Sequence, residues 1–356
     1  MANSREPKDK QTLFGFEPPE ELCVAIQTCL VQAQVTGARA GGVAVGLSGG
    51  PDSCALAICT QVACSRLGFK LHLFHVHHGL NEQADAWMQA AIDLAELLSL
   101  PLVTRHVSVD QRSGKGIEAA ARQSRHAALR EMADKHKIDT LLLAHHAQDQ
   151  AETVLMRLLR GAGVTGLAAM RPVSLQGGIQ ILRPWLATDR AKLLSLVNEF
   201  SAVTGWQPVD DPSNRDILLA RGALRESVVP AIAARWPAWW RTLSRHAQQA
   251  AEVDELLGQF GEHLLSEVLS GDSSAQQTPT IDLSRWRGLT ASQQALVLRV
   301  WFAQLGAPMP TDASLQELMR QLRGLHALGH DRAMQWHHGN CLVYCVRGQV
   351  QLHVKL

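Results

Sequence analysis

The stretch GLSGGPDSCAL, residues 46–56, decides the fold. It follows the short apolar run VAVGL (43–47), a strand candidate, and it opens a helical pattern over 53–67. A strand, a glycine turn and a helix form half of a βαβ unit. Working outward, the same alternation repeats. KLHLFHV (70–76), PLVTRHV (101–107) and TLLLA (140–144) are further strand candidates, and helical patterns over 81–99, 117–136 and 149–160 follow them. Short apolar strands alternating with long helices predict an α/β fold, a doubly wound parallel sheet of Rossmann-like type. Binding sites in such sheets lie at the carboxyl ends of the strands.

Past Arg183 the alternation weakens. DDPSN (210–214) is a turn cluster, 231–269 reads as a helix interrupted at Pro237, and GDSSAQQTPT (271–280) punctuates the chain. Two more helical patterns, near 290–305 and 311–325, precede a terminal meander of alternating apolar and polar residues. The expected plan is a loose leader (1–20), a catalytic domain (21–230), a helical linker (231–270) and a smaller C-terminal α+β domain (271–356). With 356 residues and 46% hydrophobic content the chain can bury such cores. Seven cysteines, an odd number with no C-x-x-C pair, argue against a disulfide scaffold, a zinc ribbon or a redox pair. The N-terminus is not a signal peptide, and no stretch approaches the 18 or so apolar residues of a membrane span, so a cytoplasmic protein with no membrane partner is expected. The net charge of +1 gives by itself no reason to expect a nucleic acid. Its distribution does: Arg105 to Lys192 holds 14 Lys or Arg against 8 Asp or Glu.

In the opening stretch, Gly49 and Gly50 permit a tight turn and close backbone approach, Ser48 and Ser53 offer hydroxyls with Pro51 between them, and Asp52 is placed to hold Mg²⁺. N–H groups at a helix start form an anion site. An ordinary capped turn uses the same residue types. The stretch is neither a Walker A loop nor G-x-G-x-x-G; the nearest candidate, SGKG (113–116), lacks the leading glycine and the closing hydroxyl.

A second constellation follows the strand at 140–144. His145, Asp149 and Glu152 are spaced to share one face at a helix start. Two carboxylates there could hold an ammonium group, and the histidine could accept its proton; an alkyl amine of pKa about 10.4 is roughly 0.1% neutral at pH 7. A solvated, dipole-favoured helix start is the plainer reading. Arg122 and Arg125, and Arg157 and Arg160, pair on helix faces flanking this site, where they can neutralise phosphates or simply face solvent. His75 and His77 share a strand face, but no further ligand stands at a zinc spacing. WPAWW (236–240) reads as a packed junction rather than a base-stacking surface.

The string S-G-G-x-D-S resembles the pyrophosphate loop of the PP-loop ATP pyrophosphatases. Together with HVHHGLNEQADAW (75–87), GIEAAARQSRHAAL (116–129), LAHHAQDQAETVLMRLLRGAGVTGLAAM (143–170), LRPWL (182–186) and DDPSN…RGALR (211–225), it resembles the tRNA(Ile)-lysidine synthetases closely over about 40–235 and loosely in the last 90 residues. The resemblance implies an ATP-dependent ligase joining L-lysine to the wobble cytidine of a CAU-anticodon tRNA(Ile). ATP would sit on residues 48–53 with His75 and Val76, and Mg²⁺ on Asp52. Arg122 and Arg125 would assist adenylation, and lysine would bind near His145, Asp149, Glu152, Arg221 and Arg225. A C-terminal tRNA-binding domain is implied, and a homodimer is compatible. The chain departs from the family in having Gln148 before Asp149, where two aspartates are frequent, and Gly222 after Arg221, where asparagine is usual. The alternatives are a tRNA thiolase of the same superfamily and a non-catalytic tRNA-binding protein. The absence of paired cysteines opposes the first, and the complete loop with its acidic face opposes the second.

Overall fold

A computed structural model describes residues 15–33, 42–77, 79, 83–107, 117–270, 279–325 and 334–354. Most of the expected leader, SGKG (113–116), His78 and most of the 271–280 stretch lie outside the described residues. Two compact units divide the chain, Met1–Ala251 and Glu252–Leu356.

The first unit is built on a six-stranded sheet of β1 (Val43–Gly46), β2 (Leu71–His77), β3 (Leu102–His106), β4 (Thr140–Leu142), β5 (Val173–Gln176) and β6 (Ile179–Leu182), in the order β3-β2-β1-β4-β6-β5. All neighbours are parallel except β5 against β6. The chain winds outward from β1 to β3 and then returns to place β4 on the other side of β1. The strand order therefore reverses between β1 and β4, and their carboxyl ends open a crevice there.

Alternating side chains make two cores. Val43, Val45, Leu71 and Leu73 face one side, with α1 (Glu20–Gln32), α2 (Pro51–Leu67) and α7 (Arg190–Thr204). Ala44, Phe74, Leu141 and Ile181 face the other, with Leu129, Met132 and Ala133 of α4 (Ile117–His136). Helix α2 is buried at every residue from Ser53 to Thr60; its small side chains let it lie flat on the sheet beneath α1 and α7. All seven cysteines are free and buried, in keeping with the absence of a disulfide framework.

Four strands and the helices between them fall where the alternation predicts. The β5–β6 hairpin does not come from that reading; its signal is Gly177-Gly178, both at positive φ, between two short apolar runs. The helix expected over 149–160 begins earlier, as α5 (Ala147–Leu159), because His146 caps it. The interruption at Pro237 separates α9 (Val229–Arg235) from α10 (Trp239–Val268).

The second unit contains the sheet β7-β10-β9-β8, made of β7 (Ile281–Asp282), β8 (Met334–His338), β9 (Cys341–Val346) and β10 (Gln349–Val354), all pairs antiparallel. Trp286, Trp301, Phe302 and Trp336 fill its core with the apolar faces of α12 (Ala291–Gln304) and α13 (Asp312–Gly324).

Candidate active site at the strand-order reversal

Two pieces of the site meet where β1 and β4 end. The first is the loop from β1 into α2. Gly49 has φ +89° and its carbonyl accepts from Val209 N at 2.9 Å; a side chain there would be strained and would press on Val209. Ser48 Oγ and Ser53 Oγ lie 3.0 Å apart, Ser53 Oγ donates to Gly50 O at 2.9 Å, and Ser48 N donates to Ser53 Oγ at 3.1 Å. The two hydroxyls therefore brace the turn. His75, buried in β2, holds the loop from beneath through Nδ1 and Leu47 O at 2.9 Å; the carbonyl can only accept, so the proton is on Nδ1. Burial keeps its pKa below the ordinary histidine value. Val76, next to it, packs against the core on the α4 side of the sheet, as Val103 and Leu143 do.

The second piece is side-chain built. His146 is the N-cap of α5: Nδ1 accepts from Asp149 N at 3.3 Å, and Asp149 Oδ2 accepts from His146 N at 3.1 Å. Asp149 Oδ1 accepts from Arg221 Nη2 at 2.8 Å and Arg225 Nη2 at 3.1 Å. Glu152 accepts from both arginines, Oε2 from Arg221 Nε and Oε1 from Arg225 Nε, each at 2.8 Å. Asp149 is 8% and Glu152 4% exposed, so two buried carboxylates are balanced by two forked guanidinium groups. Arg221 stands on α8 (Ala220–Ala223) and Arg225 in the π-helical turn Leu224–Val228 that follows. Gly222 between them packs so tightly on the Asp216 carbonyl that no Cβ fits, which is the physical reason for glycine at that departure from the family pattern.

His146 joins the two pieces. It is 2% exposed, and its Nε2 lies 3.3 Å from Asp149 Oδ2 and 3.9 Å from Asp52 Oδ2. Because Nδ1 accepts, hydrogen bonding assigns the proton to Nε2, facing both acids. Asp52 also accepts from Arg190 Nε, at 3.1 Å and 3.3 Å to its two oxygens.

Several expectations change in this geometry. His145 precedes the cap and is not on the helix with Asp149 and Glu152. Burial, with Arg183, Arg221 and Arg122 outweighing the opposing pull of Asp149, pushes its pKa down to about 3. The ring is therefore uncharged at neutral pH, the form with a free nitrogen lone pair to accept a hydrogen bond or a proton. Asp149 and Glu152 are not bare acids awaiting a cation but members of a four-charge cluster. Asp149 is held below the ordinary carboxylate value because His146, Arg221 and His145 outweigh the raising effect of burial. Arg157 donates to Gly166 O at 2.8 Å and Ala169 O at 3.0 Å, a bracing role rather than a phosphate contact.

Arg122 and Arg125 stand exposed on α4. Loss of water from around the guanidinium, despite its exposed edge, lowers the Arg125 pKa, and Arg122 and Arg221 add to the effect, so these arginines share one field with the acid–arginine cluster. Arg183 is buried there too, its pKa pushed to about 10 by burial and Arg122. The sequence reading did not single out His146, Arg183, Gln148 or Arg190 as site residues. The H-x-x-D spacing of a capping box marks His146; Arg190 has no local signal.

A phosphate-shaped turn at the switch point of a parallel sheet defines a nucleotide-using α/β protein, and the family model described as a PP-loop domain matches residues 24–232. A U34-tRNA thiolase, NcsA from Methanococcus maripaludis, shares this fold at a TM-score of 0.54 and 16% identity, over 65% of this chain and 78% of its own. A second model, described as the TilS substrate binding domain, matches 281–353. Relatives named tRNA(Ile)-lysidine synthase are 47% identical in Bordetella bronchiseptica, over 86% of this chain and 88% of theirs, and 36% identical in Ralstonia nicotianae, over 81% and 60%. The chain belongs to the tRNA(Ile)-lysidine synthase family.

One carboxylate with substrate phosphates is an ordinary ligand set for Mg²⁺, and Asp52 is the only carboxylate of residues 46–56, so the donor chemistry fits that ion. Among the described residues no helix is long and apolar enough to cross a membrane.

Proposed function

We propose that this chain forms lysidine: with ATP it joins the ε-amine of L-lysine to C2 of the wobble cytidine (position 34) in a CAU-anticodon tRNA(Ile), releasing AMP and pyrophosphate. The observation that carries this reading is the join through His146 between a loop built for phosphates and a carboxylate–arginine cluster. Such a join lets one site activate a base and then receive an amine.

In the first step the cytidine O2 attacks the α-phosphorus of ATP, the bond to the bridging oxygen breaks, and pyrophosphate leaves. The 48–53 turn and the start of α2 hold the phosphates, while Arg122 and Arg125 face the charge that develops on them. Mg²⁺ held by Asp52 would neutralise charge on the phosphates. In the second step the neutral lysine amine attacks C2, the C2–O bond breaks, AMP carries the oxygen away, and the nitrogen's surplus proton passes to solvent. Asp149 and Glu152 orient the lysine; for a third cation to join them, Arg221 and Arg225 must share their carboxylates with it. A base entering this crevice must be flipped out of the anticodon loop. Residues 281–353 would bind the tRNA body, and the protein would act in the cytoplasm.

A thiolase reading is disfavoured by the cysteines. Cys54, Cys59 and Cys64 are sealed in the core with thiol pKa values raised by burial, to about 12 for Cys64. The test is pyrophosphate release with tRNA(Ile) bearing CAU. We expect pyrophosphate release to need ATP and tRNA and to be sustained over many turnovers only with lysine, and labelled lysine to be incorporated only when all three are present. Equal sustained release with a sulfur donor in place of lysine, or sustained release with lysine present and none incorporated, would overturn the reading.

A further inference from the structure

The stretch 46–56 contains one acidic residue and no lysine, arginine or histidine. A triphosphate tail is polyanionic, and a loop of this kind supplies only backbone N–H groups and a helix dipole to balance it. Any side-chain cation that joins Mg²⁺ at the β- and γ-phosphates therefore comes from elsewhere in the chain.

Arg190, 138 positions away in sequence, is the guanidinium on Asp52. It stands at the start of α7, and its contact with Asp52 uses Nε alone, at 3.1 Å and 3.3 Å. Both Nη groups of a side chain that is 41% exposed are therefore left to donate elsewhere. The backbone beneath it is fixed. Gln148 Oε1 accepts from Arg190 N at 3.1 Å, Gln148 Nε2 donates to Asp189 Oδ1 at 2.7 Å, and Asp189 caps α7 through Ala191 N at 3.1 Å. Ala147 N also donates to Thr188 O at 3.0 Å, which ties the segment after β4 to the segment after β6.

We propose that Arg190 binds the β- and γ-phosphates of ATP and the departing pyrophosphate, oriented by Asp52 and positioned by Gln148. Asp52 turns the guanidinium so that Nε faces the carboxylate and the Nη pair faces the loop's ligand. Gln148 performs a task that a carboxylate could not. Its amide donates to Asp189 and accepts from the Arg190 backbone at the same time, whereas an aspartate would set like charges together and donate nothing. The glutamine at this departure from the family pattern thus belongs to the phosphate side of the site. This inference rests on the ATP-using reading above.

The experiment compares equilibrium binding of α,β-methylene-ATP, inorganic pyrophosphate and AMP, each with Mg²⁺, to the full chain and its variants. Binding of the analogue by the wild type tests the ATP-using reading, and its absence sinks both that reading and this one. Given that binding, Arg190→Gln is expected to weaken the analogue and pyrophosphate about 10- to 100-fold, as loss of charge-assisted hydrogen bonds implies, and to leave AMP within about 2-fold. Arg190→Lys should fall between, since it keeps the charge without the fork. Gln148→Asp should give a smaller selective loss, about 5-fold, again sparing AMP. Three results would overturn the proposal: unchanged analogue binding in Arg190→Gln, tighter binding (Arg190 then only shields Asp52), or equal weakening of AMP and the analogue. If Arg190→Gln does not fold, the split between analogue and AMP in Arg190→Lys decides.

Discussion

The loop after β1 and the cluster at the start of α5 face the same crevice but are made differently. The loop is held by hydroxyls, a positive φ and a carbonyl clamp, all within a few residues of one another apart from His75 and Val209. The cluster is held by charge: Asp149 and Glu152 meet arginines roughly 70 positions later in the chain. Main-chain sites tolerate little change in conformation, and buried charge sites tolerate little change in count. Each should therefore fail in its own way.

The largest expected effect is on chemistry. Asp52→Ala removes the loop's one carboxylate, along with the partner of Arg190, and is expected to lower ATP–pyrophosphate exchange by about 100- to 1,000-fold. Near-normal exchange would refute its metal role. In the cluster, Glu152→Gln places an amide N–H₂ against one guanidinium and leaves the remaining charges unbalanced. A loss of about 3 kcal/mol in stability is expected from denaturant unfolding, and a loss below about 1 kcal/mol would mean that the four charges are not a unit. Gly49→Ala strains the loop by about 1–2 kcal/mol and should weaken nucleotide binding without touching the cluster. Unfolding and binding assays on one sample separate the two.

The smallest effect is a pH slope. His145 has a folded pKa of about 3, below its unfolded value, so the unfolded chain takes up the proton first as pH falls. The stabilisation from the neutral ring is whole above about pH 6.5 and drains away between there and about pH 3. His145→Gln should flatten the fall in stability across that window by at most about 1 kcal/mol per pH unit, less because the ring is partly exposed. An identical slope in the variant would show that burial of His145 is not what the acid limb reports.

The same contrast explains what the sequence made legible. Glycine, serine and aspartate at a strand-to-helix junction specify a local conformation, so residues 48–53 could be read as an anion site. The parallel sheet followed from apolar runs of the right length. Arg190 carried no comparable signal, because its meaning depends on the strand order that brings the ends of β1, β4 and β6 side by side. Asp149 and Glu152 were visible as acids, but their charge balance was not. Arg221 and Arg225 entered only through a family resemblance, and nothing in their own surroundings in the chain shows that both forks close on one carboxylate pair. His145 was visible as a histidine, yet its depressed pKa follows from burial among arginines, which is a property of the folded assembly. The β5–β6 hairpin is marked only by Gly177-Gly178, because two four-residue strands around a glycine pair break the strand–helix alternation that signals a parallel sheet.

Gly222 has one more consequence. Its contact with the Asp216 carbonyl means that α8 and the segment before it cannot be exchanged independently with those of a relative bearing a larger residue at this position. Any graft of the arginine-bearing helix has to carry the preceding turn along, because only the pair keeps Arg221 and Arg225 at the height where both reach Glu152. In recombination between relatives, the crossover points that preserve activity should therefore fall before residue 210 or after residue 228, and not between them.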